Sequence, residues 1–122
     1  MVQSLHYFKP GQDVTSVANE DVTGARFVAL GAGGTYNVPH VAHAEAGELT
    51  FGVSARDAKK GEEFLTHTGG IVPVTAGASL TAGSTVAAGA DGKAVPAAEG
   101  AVARGLVLAD AAANELASVH ML

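Results

Sequence analysis

The sequence predicts an all-β fold, a small barrel or sandwich of short strands preceded by an extended N-terminal arm, and three observations lead there. Short apolar runs recur along the chain with Gly-rich punctuation between them. The stretch Thr85–Pro96, TVAAGADGKAVP, reads as a strand, an Asp91-Gly92 turn and a second strand, because a tight hairpin turn of the primed type needs positive φ, which Gly adopts freely and Asp tolerates. An earlier stretch, Phe27–Pro39, FVALGAGGTYNVP, follows the same plan.

The likeness between those stretches extends through most of the chain. Val28, Ala29, Gly31, Ala32 and Gly34 return as Val86, Ala87, Gly89, Ala90 and Gly92, and Val38-Pro39 is matched to Val95-Pro96. Beyond the hairpin, Gly52, Asp57, Ala58, Glu62 and His67 meet Gly105, Asp110, Ala111, Glu115 and His120. The offset is 58 residues before the hairpin and 53 after it, and the length difference is expected in the loop following each Val-Pro. An internal duplication follows, with pseudo-repeated units at about 20–68 and 79–122 related by an approximate twofold.

Residues 1–20 read as the arm and 21–122 as one β domain. Leu5-His6-Tyr7-Phe8 is apolar and aromatic but is stopped by Lys9-Pro10-Gly11, and Val14–Val17 reads as a weak strand. Strands are then expected at Ala25–Leu30, Thr35–Val38, Leu49–Ala55, Glu63–His67 and Ile71–Val74. Their counterparts are Thr85–Ala88, Lys93–Val95, Arg104–Ala109 and Leu116–Met121. Ala109–Ala117 is Ala-rich enough for a helix but reads as a turn. Its counterpart around Asp57 contains Gly61 where this segment has Asn114, and those two residue types best tolerate left-handed backbone. Gly34, Asp57, Gly61, Asp91, Gly92, Asp110 and Asn114 are therefore the expected structural turn residues.

Composition narrows the function classes. At 122 residues a single domain with a real core is expected, although 5% aromatic content and no Trp make that core one of Val, Leu, Ala and a few Phe. The formal net charge of −5, with only Lys59-Lys60 adjacent, argues against a nucleic-acid partner. No Cys is present for a disulfide framework or a Cys-ligated zinc, no apolar run approaches a membrane span, and the N-terminus does not read as a secretory signal. Thirteen of the 19 charged residues fall in residues 1–63, so the second half would present an unusually uncharged surface, as a subunit interface does.

Chemistry-bearing residues are sparse. His40-Val41-Ala42-His43-Ala44-Glu45 is the one ligand-like cluster, and on an extended chain His43 and Glu45 share a face while His40 points away. A metal would need further ligands that the sequence does not place, so the segment reads as a solvated loop with no metal and no cofactor. The paired His67 and His120 and the paired Asp57 and Asp110 read as structural residues repeated by the duplication. No Gly-x-Ser-x-Gly elbow, phosphate loop or dinucleotide fingerprint is present.

From Gly70 onward the chain resembles the small tailed-phage capsid decoration proteins, also called cement or head-stabilising proteins. The resemblance rests on a Gly-apolar strand, an Ala-Gly-x-x-Val strand, a Gly-Lys-x-Val hairpin arm, a Gly-Leu-Val-Leu strand and a closing strand. The N-terminal half fits more loosely, through Phe27–Leu30 and Gly52–Glu63. The resemblance implies a β-rich virion protein without catalytic residues, a homotrimer that binds the major capsid protein on the outside of the head and stabilises the shell, made in the host cytoplasm. Candidate capsid contacts are Leu5, Tyr7, Phe8 and Lys9 of the arm and His40, His43, Glu45 and Glu48 of the loop. Alternative readings are another phage structural part, such as a tail or fibre module, and a metal-dependent hydrolase using His40, His43 and Glu45.

Overall fold

The computed structural model describes residues 13–35 and 37–122, and the arm residues before Asp13 lie outside them. Among the described residues, ten strands and one 3-10 turn make up the regular structure, so the all-β expectation holds. The strands are β1 (Val14–Ala18), β2 (Phe27–Leu30), β3 (His40–His43), β4 (Gly52–Ser54), β5 (Glu63–His67), β6 (Ile71–Thr75), β7 (Thr85–Ala88), β8 (Ala94–Pro96), β9 (Gly105–Val107) and β10 (Leu116–Met121). Strict alternation explains most of them: in β5, β6 and β10 every second residue is buried, the period-two pattern of a pleated strand with one face on a core.

β1 to β5 close into a barrel in the order β1-β3-β2-β4-β5, and β6 to β10 form a second sheet in the order β6-β10-β9-β7-β8. Read around the ring, these are the same order. The registers also agree at the offsets of 58 and 53: Val28 faces Gly52 as Val86 faces Gly105, and Val14 faces Thr66 as Val72 faces Val119. Isolated bridges repeat as well, Val22 with Ala58 and Leu80 with Ala111.

The two rings differ at one seam. In the first, β1 and β3 run parallel and Val17 N–H donates to Pro39 C=O at 3.0 Å. In the second, the matching seam is bridged only between Ala76 and Ala94, and Thr75 N–H donates instead to Ala25 C=O of the first barrel at 2.8 Å. The second sheet thus opens where the first barrel docks on it. Phe27, Ala29 and Val53 on the outside of the first barrel are buried against Val74, Val86, Val107 and Val119 inside the second sheet, forming one apolar cluster. A smaller cluster of Val22, Val28, Val41 and Phe64 fills the first barrel, beside a buried Thr66 to Ser16 hydroxyl bond of 3.0 Å. Full burial of Phe27 alone stabilises by roughly 1.5–3 kcal/mol.

Several expectations are corrected. The arm boundary at residue 20 is too late, because β1 is a barrel strand whose polar Ser16 is buried by pairing with Thr66. Thr35–Val38 is an isolated bridge and not a strand, while His40–His43, read as loop, is the second arm of that hairpin. His43 pairs with Val28 as Pro96 pairs with Val86, so Pro96 corresponds to His43 and not to Pro39, and the extra five residues lie within the β2–β3 turn. Contacts between the halves are also not reciprocal. Ala25, Phe27 and Gly47 meet Thr75, Gly92 and Ala88, whereas the matching Gly83, Thr85 and Gly100, and the matching Leu30, are exposed. A twofold would bury both sets alike, so the halves meet head to tail.

Candidate functional site

The turns expected from the sequence hold the loop framework. Asp57 Oδ1 accepts from Gly24 N–H and Asp110 Oδ1 accepts from Ala82 N–H, each at 2.8 Å. Four residues beyond each Asp, Gly61 and Asn114 take φ of 87° and 69°. In the β7–β8 hairpin, Asp91 and Gly92 take φ of 57° and 72°, and Lys93 N–H closes the turn onto Ala90 C=O at 3.3 Å. Gly34 lacks positive φ; in the longer β2–β3 turn that conformation falls to Gly33, at 98°. Ala25 is a turn residue the sequence reading missed: its φ of 57° matches 86° at Gly83, 58 positions on, and the Gly in the second copy was the available signal.

Strand β3 sets where the His cluster goes. His43 Nε2 accepts from Thr23 N–H at 2.9 Å, on the loop leading into β2. The ring of His40 instead lies 3.0 Å through Nδ1 from Asn19 Oδ1, and Asn19 donates through Nδ2 to Ala32 C=O. The two imidazoles therefore fasten different loops, and the structure does not bring them together. Glu45 and Glu48 are exposed just past β3, where Glu48 Oε1 accepts from Glu45 N–H at 2.9 Å and closes that turn. Among the described residues, no three His, Asp or Glu side chains are grouped to hold a metal ion.

Leu5, Tyr7, Phe8 and Lys9 lie outside the described residues. The chain enters the fold at Asp13, whose carboxylate is 2.8 Å from His67 Nδ1. Beside that point a cleft of about 530 Å³ opens at the mouth of the first barrel, walled by Val14, Leu30, Pro39, His40 and Phe51 and rimmed by the Gly-rich β2–β3 turn. Leu30 on one side and Leu49 in the adjoining loop are about 60% exposed, at 59% and 63%. This end of the barrel therefore combines an apolar cleft with two exposed leucines.

Comparison with known proteins places this surface in context. A family model described as phage cement protein matches residues 8–121, which includes both sheets. Among solved structures, the chain is similar to the crystal structure of the head fibre gp8.5 N base of bacteriophage phi29, with a TM-score of 0.76 and 22% identity over 90% of this chain and 92% of that one. That likeness lies in the fold. None of the curated proteins matches the sequence.

Proposed function

Because this chain belongs to the phage cement protein family, we propose that it attaches to the outer surface of a phage head as a homotrimer and reinforces the shell. The observation that carries this reading is the family match over residues 8–121, nearly the whole fold and not a fragment of it. A structural role also suits a molecule in which His40, His43, Asp57 and Asp110 hold loops, and the reading includes neither enzymatic activity nor a cofactor. The protein would be made in the host cytoplasm and reside on the capsid exterior.

In this reading the arm residues Leu5, Tyr7, Phe8 and Lys9 reach the major capsid protein, leaving the barrel beside Asp13 and the apolar cleft. Exposed Glu45, Glu48 and Leu49 give a second contact at the same end. A shell repeats one binding site many times, so three linked subunits make weak individual contacts durable through effective concentration. The test is co-sedimentation with cognate heads. Intact protein is expected to pellet with heads, and protein lacking residues 1–12 to fold yet pellet less. Undiminished pelleting of the truncated protein overturns the arm's role, and pelleting with tails but not heads overturns the function.

A further inference from the structure

Each half of the chain has a mouth at one end of its strand ring, and the shared register shows that only one of the two mouths is covered. The match runs to the mouths themselves. Gly31 N–H donates to His40 C=O as Gly89 N–H donates to Lys93 C=O, and Phe51 N–H donates to Val28 C=O as Arg104 N–H donates to Val86 C=O, so Leu30 corresponds to Ala88 and Phe51 to Arg104. In the second sheet the first barrel sits at this place. Gly47 N–H donates to Ala88 C=O at 3.1 Å, Arg104 Nη2 donates to Thr50 C=O at 2.8 Å, and Ala88 is 4% exposed. In the first barrel the same place is the apolar cleft of about 530 Å³ between Val14, Leu30, Pro39 and Phe51, where Leu30 is 59% exposed.

Beside the cleft an edge of backbone is left over. β1 and β3 pair only through Val17 with His40 and Ala18 with Val41. The next rung of that parallel ladder needs an N–H on residue 39 to meet Thr15 C=O, and residue 39 is Pro, so the pairing with β3 stops there. Thr15 therefore turns its N–H and C=O away from β5, to the side on which Val17 N–H reaches Pro39 C=O. The second sheet carries Pro73 at this position, facing Ser118 as Thr15 faces Leu65. A Pro cannot donate to an added strand, and there the first barrel covers the mouth instead. Among the described residues no such unit covers the first mouth, and its edge has the donor.

The chain supplies an occupant of matching chemistry within reach. From Phe8 to Asp13, next to the start of β1, is at most about 17 Å of extended chain, and Pro10-Gly11 between them is a signal for reversing direction. An antiparallel return centred on that pair sets Tyr7 opposite Val14 and Leu5 opposite Ser16, and Val14 and Ser16 are inward-pointing residues of β1. Tyr7 and Leu5 then share the face of Val14, which is a wall of the cleft. Aromatic and aliphatic side chains suit walls of Val, Leu, Pro and Phe, and a segment tethered a few residues away is present at an effective concentration of roughly millimolar.

We propose that in the free chain Leu5–Phe8 turns back at Pro10-Gly11 and adds as a short strand to the Asp13–Thr15 edge of β1, with Tyr7 seated in the cleft between Val14, Leu30 and Phe51. The first mouth is thus a strand-addition groove whose resident is the chain's own arm, and a shell segment has to draw that arm out. The attachment reading concerns the arm on the head; this groove concerns the arm in the free protein and does not rest on that reading.

Nuclear magnetic resonance of the labelled full chain, free of heads, tests it. Nuclear Overhauser contacts are expected from the Tyr7 ring to the methyls of Val14 and Leu30, and Thr15 N–H is expected to exchange with solvent at least roughly tenfold more slowly than in Tyr7→Ser. Thr15→Pro, which installs the residue the second sheet carries at the same register position, is expected to abolish the Tyr7 contacts while the β1–β5 pairing persists. Tyr7→Ser changes a residue ahead of the barrel, so the exchange comparison holds even where Thr15→Pro fails to fold. Equal Thr15 exchange in wild type and Tyr7→Ser, or no contact between Tyr7 and Leu30, overturns the proposal. Contacts seen only between labelled and unlabelled chains in a mixed sample assign the groove to the arm of another copy, and Thr15 protection seen only on added heads assigns it to a shell segment; either result overturns it. If heads are not bound while the free chain shows the contacts, the attachment reading falls and this groove stands.

Discussion

Gly92 lies against the backbone of Phe27 so closely that a Cβ at Gly92 would stand 2.3 Å from the Phe27 carbonyl oxygen. The turn carrying Gly92 closes the β7–β8 hairpin of the second sheet, and Phe27 opens β2 of the first barrel. Around this approach Gly92 N–H donates to Ala44 C=O at 2.9 Å and Arg26 Nη1 donates to Asp91 C=O at 3.1 Å. One glycine therefore meets two demands, a φ of 72° and the absence of a side chain where the halves join.

Replacing Gly92 with Ala is accordingly expected to cost roughly 3 kcal/mol, the sum of left-handed strain and a backbone clash. Gly61 separates the two effects, because its φ is 87° and a Cβ there meets nothing within 4 Å. Gly61→Ala is expected to cost only about 1–2 kcal/mol. Urea denaturation of both variants checks this, and equal costs would mean that the hairpin does not press on Phe27.

The paired turns give a second prediction. Asp57 and Asp110 each accept one backbone N–H at 2.8 Å, and further matched bonds surround them, among them Lys59 N–H to Glu62 Oε1 and its counterpart Ala112 N–H to Glu115 Oε1. An origin by duplication predicts that Asp57→Ala and Asp110→Ala destabilise alike, by about 1 kcal/mol each. A difference larger than about 1 kcal/mol in melting experiments would show that the two turns have different structural roles.

What could be read from the letters was whatever repeats locally. Thr85–Ala88, Glu63–His67 and Leu116–Met121 were legible to the residue because Val86, Phe64 and Val119 sit in short β-prone runs bounded by Gly, Ser and Asn turn signals. β3 was not, since His40 and His43 flank Val41 and Ala42 and look like solvated loop; their rings are held by Asn19 and Thr23, contacts that only the closed barrel creates. Val38-Pro39 drew the alignment to Val95-Pro96 by identity of letters, whereas pairing with Val28 and Val86 settles the register differently. The docking of Gly92 on Phe27 joins residues 65 apart and leaves no local signature. The uneven distribution of charge was visible, but that it leaves the outward positions of β6 and β10 without Asp, Glu, Lys or Arg required the register.

A buried hydroxyl supplies a third prediction. Thr50 is 2% exposed and its Oγ1 has no hydrogen-bond partner, while its carbonyl accepts from Arg104 Nη2 at 2.8 Å. Thr50→Val keeps the shape and the carbonyl contact and removes the unpaired polar atom. The variant is expected to match the wild type or gain up to about 1 kcal/mol in thermal denaturation. A loss of more than about 1 kcal/mol would place a buried water on that hydroxyl.

The last prediction concerns cooperativity. The larger apolar cluster takes Phe27, Ala29, Ala44 and Val53 from the first barrel and Val74, Val86, Val107 and Val119 from the second sheet, so neither half owns it. The second sheet is left open at the seam between β6 and β8, where Thr75 N–H reaches Ala25 C=O, and its strand positions equivalent to Ser16 and Thr66 are the valines Val74 and Val119. Removed from the first barrel, residues 69–122 would expose that apolar interior along the open seam. The fragment is therefore expected to be unfolded by circular dichroism and amide exchange, and the full chain to unfold in one transition. Val53→Ala and Val86→Ala, one from each half, should both lower the midpoint of that single transition, by about 1–3 kcal/mol, without changing its denaturant slope. Two resolved transitions, or a folded 69–122 fragment, would show that the cluster does not couple the halves.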